Sequence, residues 1–134
     1  MGDMATFTCR VCRHEQTIYW GGGFFTYNRN NLADRIRDPE LSRDVRLILQ
    51  QEDAVVERVV KMAYYCPLCH IWYNFLDFSI ITRGIVHTPR YRCEKCHQRN
   101  ILRPVPFENY IDSPWECEKC RSCNEKMTSV GHWD

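Results

Sequence analysis

A chain of 134 residues holds one domain or two very small ones. Eighteen basic against 17 acidic residues leave a formal charge of +1, which excludes a histone-like polycation, and 13% aromatic content excludes a disordered tail. No apolar run approaches the roughly 18–20 residues of a membrane helix, and Met1–Thr6 carries neither the basic patch nor the apolar stretch of a secretory leader. The expected setting is therefore cytoplasmic and reducing, with no membrane partner. Nine cysteines are the compositional outlier. An odd number in a reducing compartment fits disulfides poorly and metal well.

In chain order, Cys9-x-x-Cys12 comes first. Gly21-Gly22-Gly23, between Trp20 and Phe24-Phe25, reads as a hairpin turn or loose connection, because no strand and Lys-Ser/Thr helix frame it as a phosphate cradle. Residues 28–58 form a helical insertion. Asn30 or Asn31 is placed to cap a short turn through Leu32, Ala33 and Ile36, and Asp38-Pro39-Glu40 is a helix start with Asp at the N-cap and Pro at N1. Leu41, Val45, Ile48 and Leu49 then make one apolar stripe. This insertion is the only helical region the sequence indicates.

Val55–Tyr64 is ambiguous in its first half and strand-like from about Val59 into Cys66. Cys66-x-x-Cys69 follows. Ile71–Ile81 is aromatic and β-branched, Arg83-Gly84 offers a turn, and Ile85–His87 and Tyr91-Arg92 read as the return into Cys93-x-x-Cys96. From Arg83 to Arg103 six basic residues stand against one acid; from Pro104 to Glu125 acids lead. Arg83, Arg90, Arg92, Arg99 and Arg103, with Tyr91 among them, are the residue types a phosphate backbone or stacked base attracts. The last motif is Cys117-x-x-Cys120-x-x-Cys123.

A C-x-x-C turn presents two thiolates to one ion, and two such turns complete a tetrahedral site. Four turns in one short chain point to two metal sites built from Cys9, Cys12, Cys66, Cys69, Cys93, Cys96, Cys117 and Cys120, with two Zn²⁺ as the expected ions. Each turn has an aromatic residue two positions before its first cysteine (Phe7, Tyr64, Tyr91, Trp115) and Arg or His after its second. That register favours Cys117 with Cys120. The rival register, Cys120 with Cys123, gains support from Asn124, and Cys123 stays an alternative ligand. All-cysteine sites are closed, H-E-x-x-H and H-x-E…P-C-x-x-C are absent, and no other catalytic constellation or small-molecule site is visible, so the expectation is a non-enzyme.

Tyr64-Tyr65-Cys66-Pro67-Leu68-Cys69 and its partner turn resemble the knuckles of rubredoxin-like zinc ribbons. The resemblance is best over residues 60–103. Family knuckles usually carry Gly after the second cysteine; here Arg13, His70, His97 and Arg121 stand there.

The expected fold is small α+β: antiparallel zinc-ribbon sheets with one or two inserted helices in a single 1–134 domain. Residues 60–103 would form a central ribbon, and 1–27 with 104–134 a second site. Three pairings of the turns are open. They are nested (66/69 with 93/96, 9/12 with 117/120), consecutive, or cross-braced as in RING-like modules. The function expected is a zinc-binding adaptor on nucleic acid or a nucleic-acid machine. The alternatives are a RING-like protein-binding module, with Trp72 or Trp133 making contacts, and an iron or redox protein, since four thiolates also accept iron.

Overall fold

The structure, a computed structural model, describes residues 2–22, 29–112, 117, 119–120 and 125–133. Its strands are β1 (Gly2–Cys9), β2 (Glu15–Gly21), β3 (Val55–Cys66), β4 (Ile71–Thr82), β5 (Ile85–His87), β6 (Arg103–Val105) and β7 (Glu125–Trp133). They join in one antiparallel sheet, ordered β5-β4-β3-β2-β1-β7, with β6 also on β3. The separate ribbon sheets expected from sequence are thus merged. No helix among the described residues is long and apolar enough to cross a membrane.

The longest pairing runs between β3 and β4, from Val55↔Ile81 to Cys66↔Ile71, with a register shift between Val56 and Arg58. The ambiguous 55–64 segment is strand throughout, because β4 offers a full-length partner. Arg83 and Gly84 both take positive φ (50° and 75°), the requirement of a two-residue turn between right-twisted strands, and so deliver β5.

The β2–β3 seam is thin. Its only register pair among the described residues is Gly21↔Lys61, and β6 takes the same edge of β3 over Ala63–Tyr65. The Asn74 side chain fastens the gap: its amide donates to the Tyr19 carbonyl (2.8 Å) and its oxygen accepts from the Tyr19 N–H (3.0 Å), standing in for a peptide group. Because β2 and β3 run antiparallel, the β1–β2 and β3–β4 turns both lie at one end of the sheet. Both carry cysteines.

Helix α1 (Pro39–Leu49) starts as the sequence indicates, with Asp38 Oδ1 accepting from the N–H groups of Glu40 (3.0 Å) and Leu41 (3.3 Å). The preceding turn is a 3₁₀ segment over Ala33–Arg35 whose cap position is Leu32, with no side-chain cap, so Asn30 and Asn31 do not fill that role. A second helix, α2 (Phe107–Asp112), lies after β6, outside the segment the sequence marks as helical.

Two apolar clusters sit in the fold. One joins Leu32, Ile36, Val45 and Leu49 to Tyr64, Tyr73, Phe75, Phe78 and Ile80, and takes in Cys66, Cys69 and Cys93. The other joins Phe7, Ile18 and Trp20 to Trp72, Val105 and Tyr110. Tyr110 is fully buried there, edge-on to Phe7 (4.4 Å) and Trp72 (4.5 Å), and its hydroxyl accepts from Gln16 Nε2 (2.9 Å). Trp72 is therefore a core residue and not an exposed contact; the Trp133 side chain lies outside the described residues.

Candidate metal centres

Three of the cysteine turns are the same object. In the first, the Arg13 N–H donates to the Cys9 carbonyl (3.0 Å) and the Cys9 N–H to that of His14 (2.8 Å). In the second, the His70 N–H donates to the Cys66 carbonyl (2.8 Å) and Cys66 pairs with Ile71. In the third, the His97 N–H donates to the Cys93 carbonyl (2.8 Å), the Cys93 N–H to that of Gln98 (3.2 Å), and Arg92 bridges Arg99. Each is closed by one left-handed residue: Arg13 (φ 66°), His70 (φ 56°) and His97 (φ 59°). That backbone explains why glycine is common at this position in zinc ribbons. Here non-glycine residues adopt it, at a cost of about 1–2 kcal/mol each.

The structure gathers eight cysteines into two groups, Cys66/Cys69/Cys93/Cys96 and Cys9/Cys12/Cys117/Cys120, with the sulfurs of each within 4.8 Å of one another. The arrangement is nested. The consecutive and cross-braced pairings are overturned, and with the latter the RING-like weave. Cys120 joins Cys117, as the aromatic register indicates; Cys123 lies outside the described residues.

The donor geometry fits a four-coordinate ion. Zn–S bonds of about 2.3 Å in a tetrahedron place sulfurs about 3.8 Å apart. Cys9–Cys120 and Cys12–Cys117 are 3.6 Å apart and Cys66–Cys96 is 3.9 Å. None of the eight is in a disulfide, which needs about 2.05 Å. Backbone N–H groups point at the sulfurs, Val11 to Cys9 and Cys69 to Cys66, both at 3.4 Å. The two groups are thus possible metal sites compatible with zinc ribbons.

Their electrostatics show what free thiols feel when crowded. Burial, then the hydrogen bonds shared with the other thiols of its group, pushes Cys69 up to about 12. Burial likewise pushes Cys117 up to about 12 against the N–H groups of Cys120 and Lys119, and raises Cys66. At Cys93 burial acts the same way, but the Tyr73 hydroxyl and the Cys96 and Lys95 N–H groups outweigh it and hold the thiol down at about 6.

The basic strip is not one surface. Arg92 Nε lies 3.6 Å from Asp38 Oδ2, and Arg99 is paired with Glu40, so both clamp the start of α1 to the third turn, joined by Arg37–Glu94 (2.8 Å). Arg83 sits at the far end of β4 from the cysteines, roughly 36 Å away at the usual strand rise. Arg83, Arg90 and Arg103 are exposed. A cleft of about 380 Å³ opens beside the third turn, lined by Arg37, Asp38, Pro39, Phe75, Arg92, Glu94 and His97. None of these is a Ser, Thr, Cys or Lys nucleophile, and the Arg37–Glu94 and Arg92–Asp38 pairs occupy its charges.

Set against protein-family models, curated proteins and solved structures, the chain shows no significant match to any of them. The reading of the sites rests on their geometry. Sequence reasoning missed Tyr73 and Asn74; only the β3–β4 register, which places them, would have exposed them.

Proposed function

We propose that the chain is a non-catalytic zinc protein whose two four-cysteine sites hold structural Zn²⁺ in a reducing compartment, and whose folded surface docks on a macromolecular partner. The observation that carries the metal reading is the nested gathering of eight sulfurs at tetrahedral spacing. Four cysteines saturate zinc and leave no position for substrate or activated water, which supports a structural and not a catalytic ion. Cys9, Cys12, Cys117 and Cys120 would hold one ion and Cys66, Cys69, Cys93 and Cys96 the other. Their charge compensation would bring the formal charge from +1 to about −3. Nucleic acid is the proposed partner class, through the exposed Arg90 and Arg103; Arg92 and Arg99 are paired with Asp38 and Glu40, and Arg83 lies at the far end of β4.

Elemental analysis of the purified chain tests the metal reading, with two zinc per chain expected. Strong visible absorbance with iron would favour the iron-protein alternative, which the four-thiolate donor sets equally accommodate. For the partner, salt-sensitive retention of single-stranded RNA or DNA, weakened in an Arg90/Arg103→Ala variant and unchanged in Arg83→Ala, is expected. No binding at about 50 mM salt removes the nucleic-acid class.

A further inference from the structure

A side-chain hydroxyl reaches one sulfur of the central group. The Tyr73 hydroxyl lies 3.2 Å from Cys93 Sγ and 3.0 Å from the Glu94 N–H, inside the buried end of β4. A phenol has one proton to give. The Glu94 N–H can only donate, so it takes an acceptor lone pair of the Tyr73 oxygen. A cysteine bound to a metal is a thiolate and can only accept. The sole consistent arrangement sends the Tyr73 proton to Cys93 Sγ. Three of the four cysteines of this group are buried (Cys66 and Cys93 at 0%, Cys69 at 8%) and Cys96 is half-buried; in the other, Cys9 and Cys117 are buried, Cys12 is half-buried and Cys120 is exposed.

We infer that Tyr73 is a positioning residue of the central metal centre: its hydroxyl clamps Cys93 on the ion and makes this the slowly exchanging site, leaving the Cys9/Cys12/Cys117/Cys120 site as the one that gains and loses metal. This rests on the metal reading proposed above. Two features act together. Leaving requires a thiolate to detach and meet a proton or chelator; a hydroxyl already bonded to that sulfur fixes its direction, and burial keeps competitors out. Outer-shell partners of metal ligands are commonly worth 10–100-fold in affinity. The terminal site offers an incoming chelator its most exposed ligand residue, Cys120, first.

The full chain loaded with two equivalents of Zn²⁺ and mixed with excess 4-(2-pyridylazo)resorcinol should release metal in two phases of equal size. Tyr73→Phe should speed the slow phase about tenfold and leave the fast one unchanged. Cys120→Ser should abolish the fast phase. With Co²⁺ as probe, Tyr73→Phe should move part of the sulfur-to-metal charge-transfer absorption to lower energy, because a sulfur that loses its O–H donor is more electron-rich; a purely structural role would not. A wild-type measurement covers the case of a misfolded variant: with ¹¹³Cd, one of two cadmium resonances should couple to the Tyr73 hydroxyl proton. A single release phase, a slow phase and absorption untouched by Tyr73→Phe, or no such coupling in a two-cadmium spectrum overturns the inference. Failure of the wild type to bind stoichiometric metal would instead remove the metal reading beneath it.

Discussion

The two sulfur groups use the same parts and differ in where the chain finds them. Cys93-Glu94-Lys95-Cys96 and Cys117-Glu118-Lys119-Cys120 are the same tetrapeptide, one in each. The central group closes between residues 30 apart (Cys66 and Cys96), through β4, the Arg83-Gly84 turn and β5, after which the chain returns to the β3–β4 turn. The terminal group closes between residues 111 apart (Cys9 and Cys120) and has to bring the two ends of the chain together. The longer closure costs about 1 kcal/mol more in chain entropy. Motif identity therefore fixes the chemistry of a site, while its protection comes from neighbouring strands: the central group lies within the larger apolar cluster beside Tyr73, and the terminal group has Cys120 in solvent.

Removing one ligand from each site is the strongest way to break this comparison. Structural zinc contributes on the order of 10 kcal/mol to folding, comparable with the whole stability of a small domain. Cys93→Ser should therefore abolish cooperative unfolding and most of the far-ultraviolet dichroism. Cys120→Ser should keep one metal equivalent and the dichroism of β3, β4 and α1. Equal damage from both would mean that the sheet depends on the chain-end closure as much as on the hairpin.

A pH series sharpens the same contrast. Cys66 and Cys69 are raised and carry protons at neutral pH, so metal must displace them. Cys93, held at about 6, is already a thiolate at pH 7 and gives up none. The sign follows: apparent affinity falls as pH falls, about tenfold per pH unit for each proton displaced, and falls more steeply below about pH 6 where Cys93 also takes a proton. In Cys120→Ser, calorimetry in buffers of different ionisation enthalpy at pH 7 should count fewer protons released than there are central cysteines. One proton per cysteine would show that Cys93 is not set apart.

Much of this was legible along the chain. The C-x-x-C spacing marked the eight sulfurs, the aromatic register marked Cys117 with Cys120, and Asp38-Pro39 marked the start of α1, because each is a local rule. The hidden parts are held by distant contacts. Helix α2 is only six residues long, too short to be stable alone, and exists where Tyr110 packs among Phe7, Trp20 and Trp72. Strand β7 (EKMTSVGHW) has no clean alternation and is defined by its pairing with β1. The basic strip divides because a run in sequence is not a run in space: Arg92 and Arg99 pair with Asp38 and Glu40 at the start of α1, and Arg83 is carried away by the length of β4.

The smallest expected effect isolates what the two sites share. Arg13 closes a terminal turn and His97 a central one, both exposed and both left-handed. Relieving that strain with glycine gains about 1–2 kcal/mol, and the extra freedom of glycine in the unfolded chain takes back about 0.5–1. His97→Gly and Arg13→Gly should each stabilise the metal-loaded protein by about 1 kcal/mol, a rise of about 4 °C in Tm by scanning calorimetry. His70→Gly should gain less, because its Nδ1 meets the Tyr65 hydroxyl at 2.8 Å and that bond would be lost. Equal gains at Arg13 and His97 would mean that the turn backbone is common to both sites, leaving Tyr73 and the burial of the sulfurs to account for their difference. A loss at His97 alone would mean that its side chain also holds the central site, and the contrast would then have a second source.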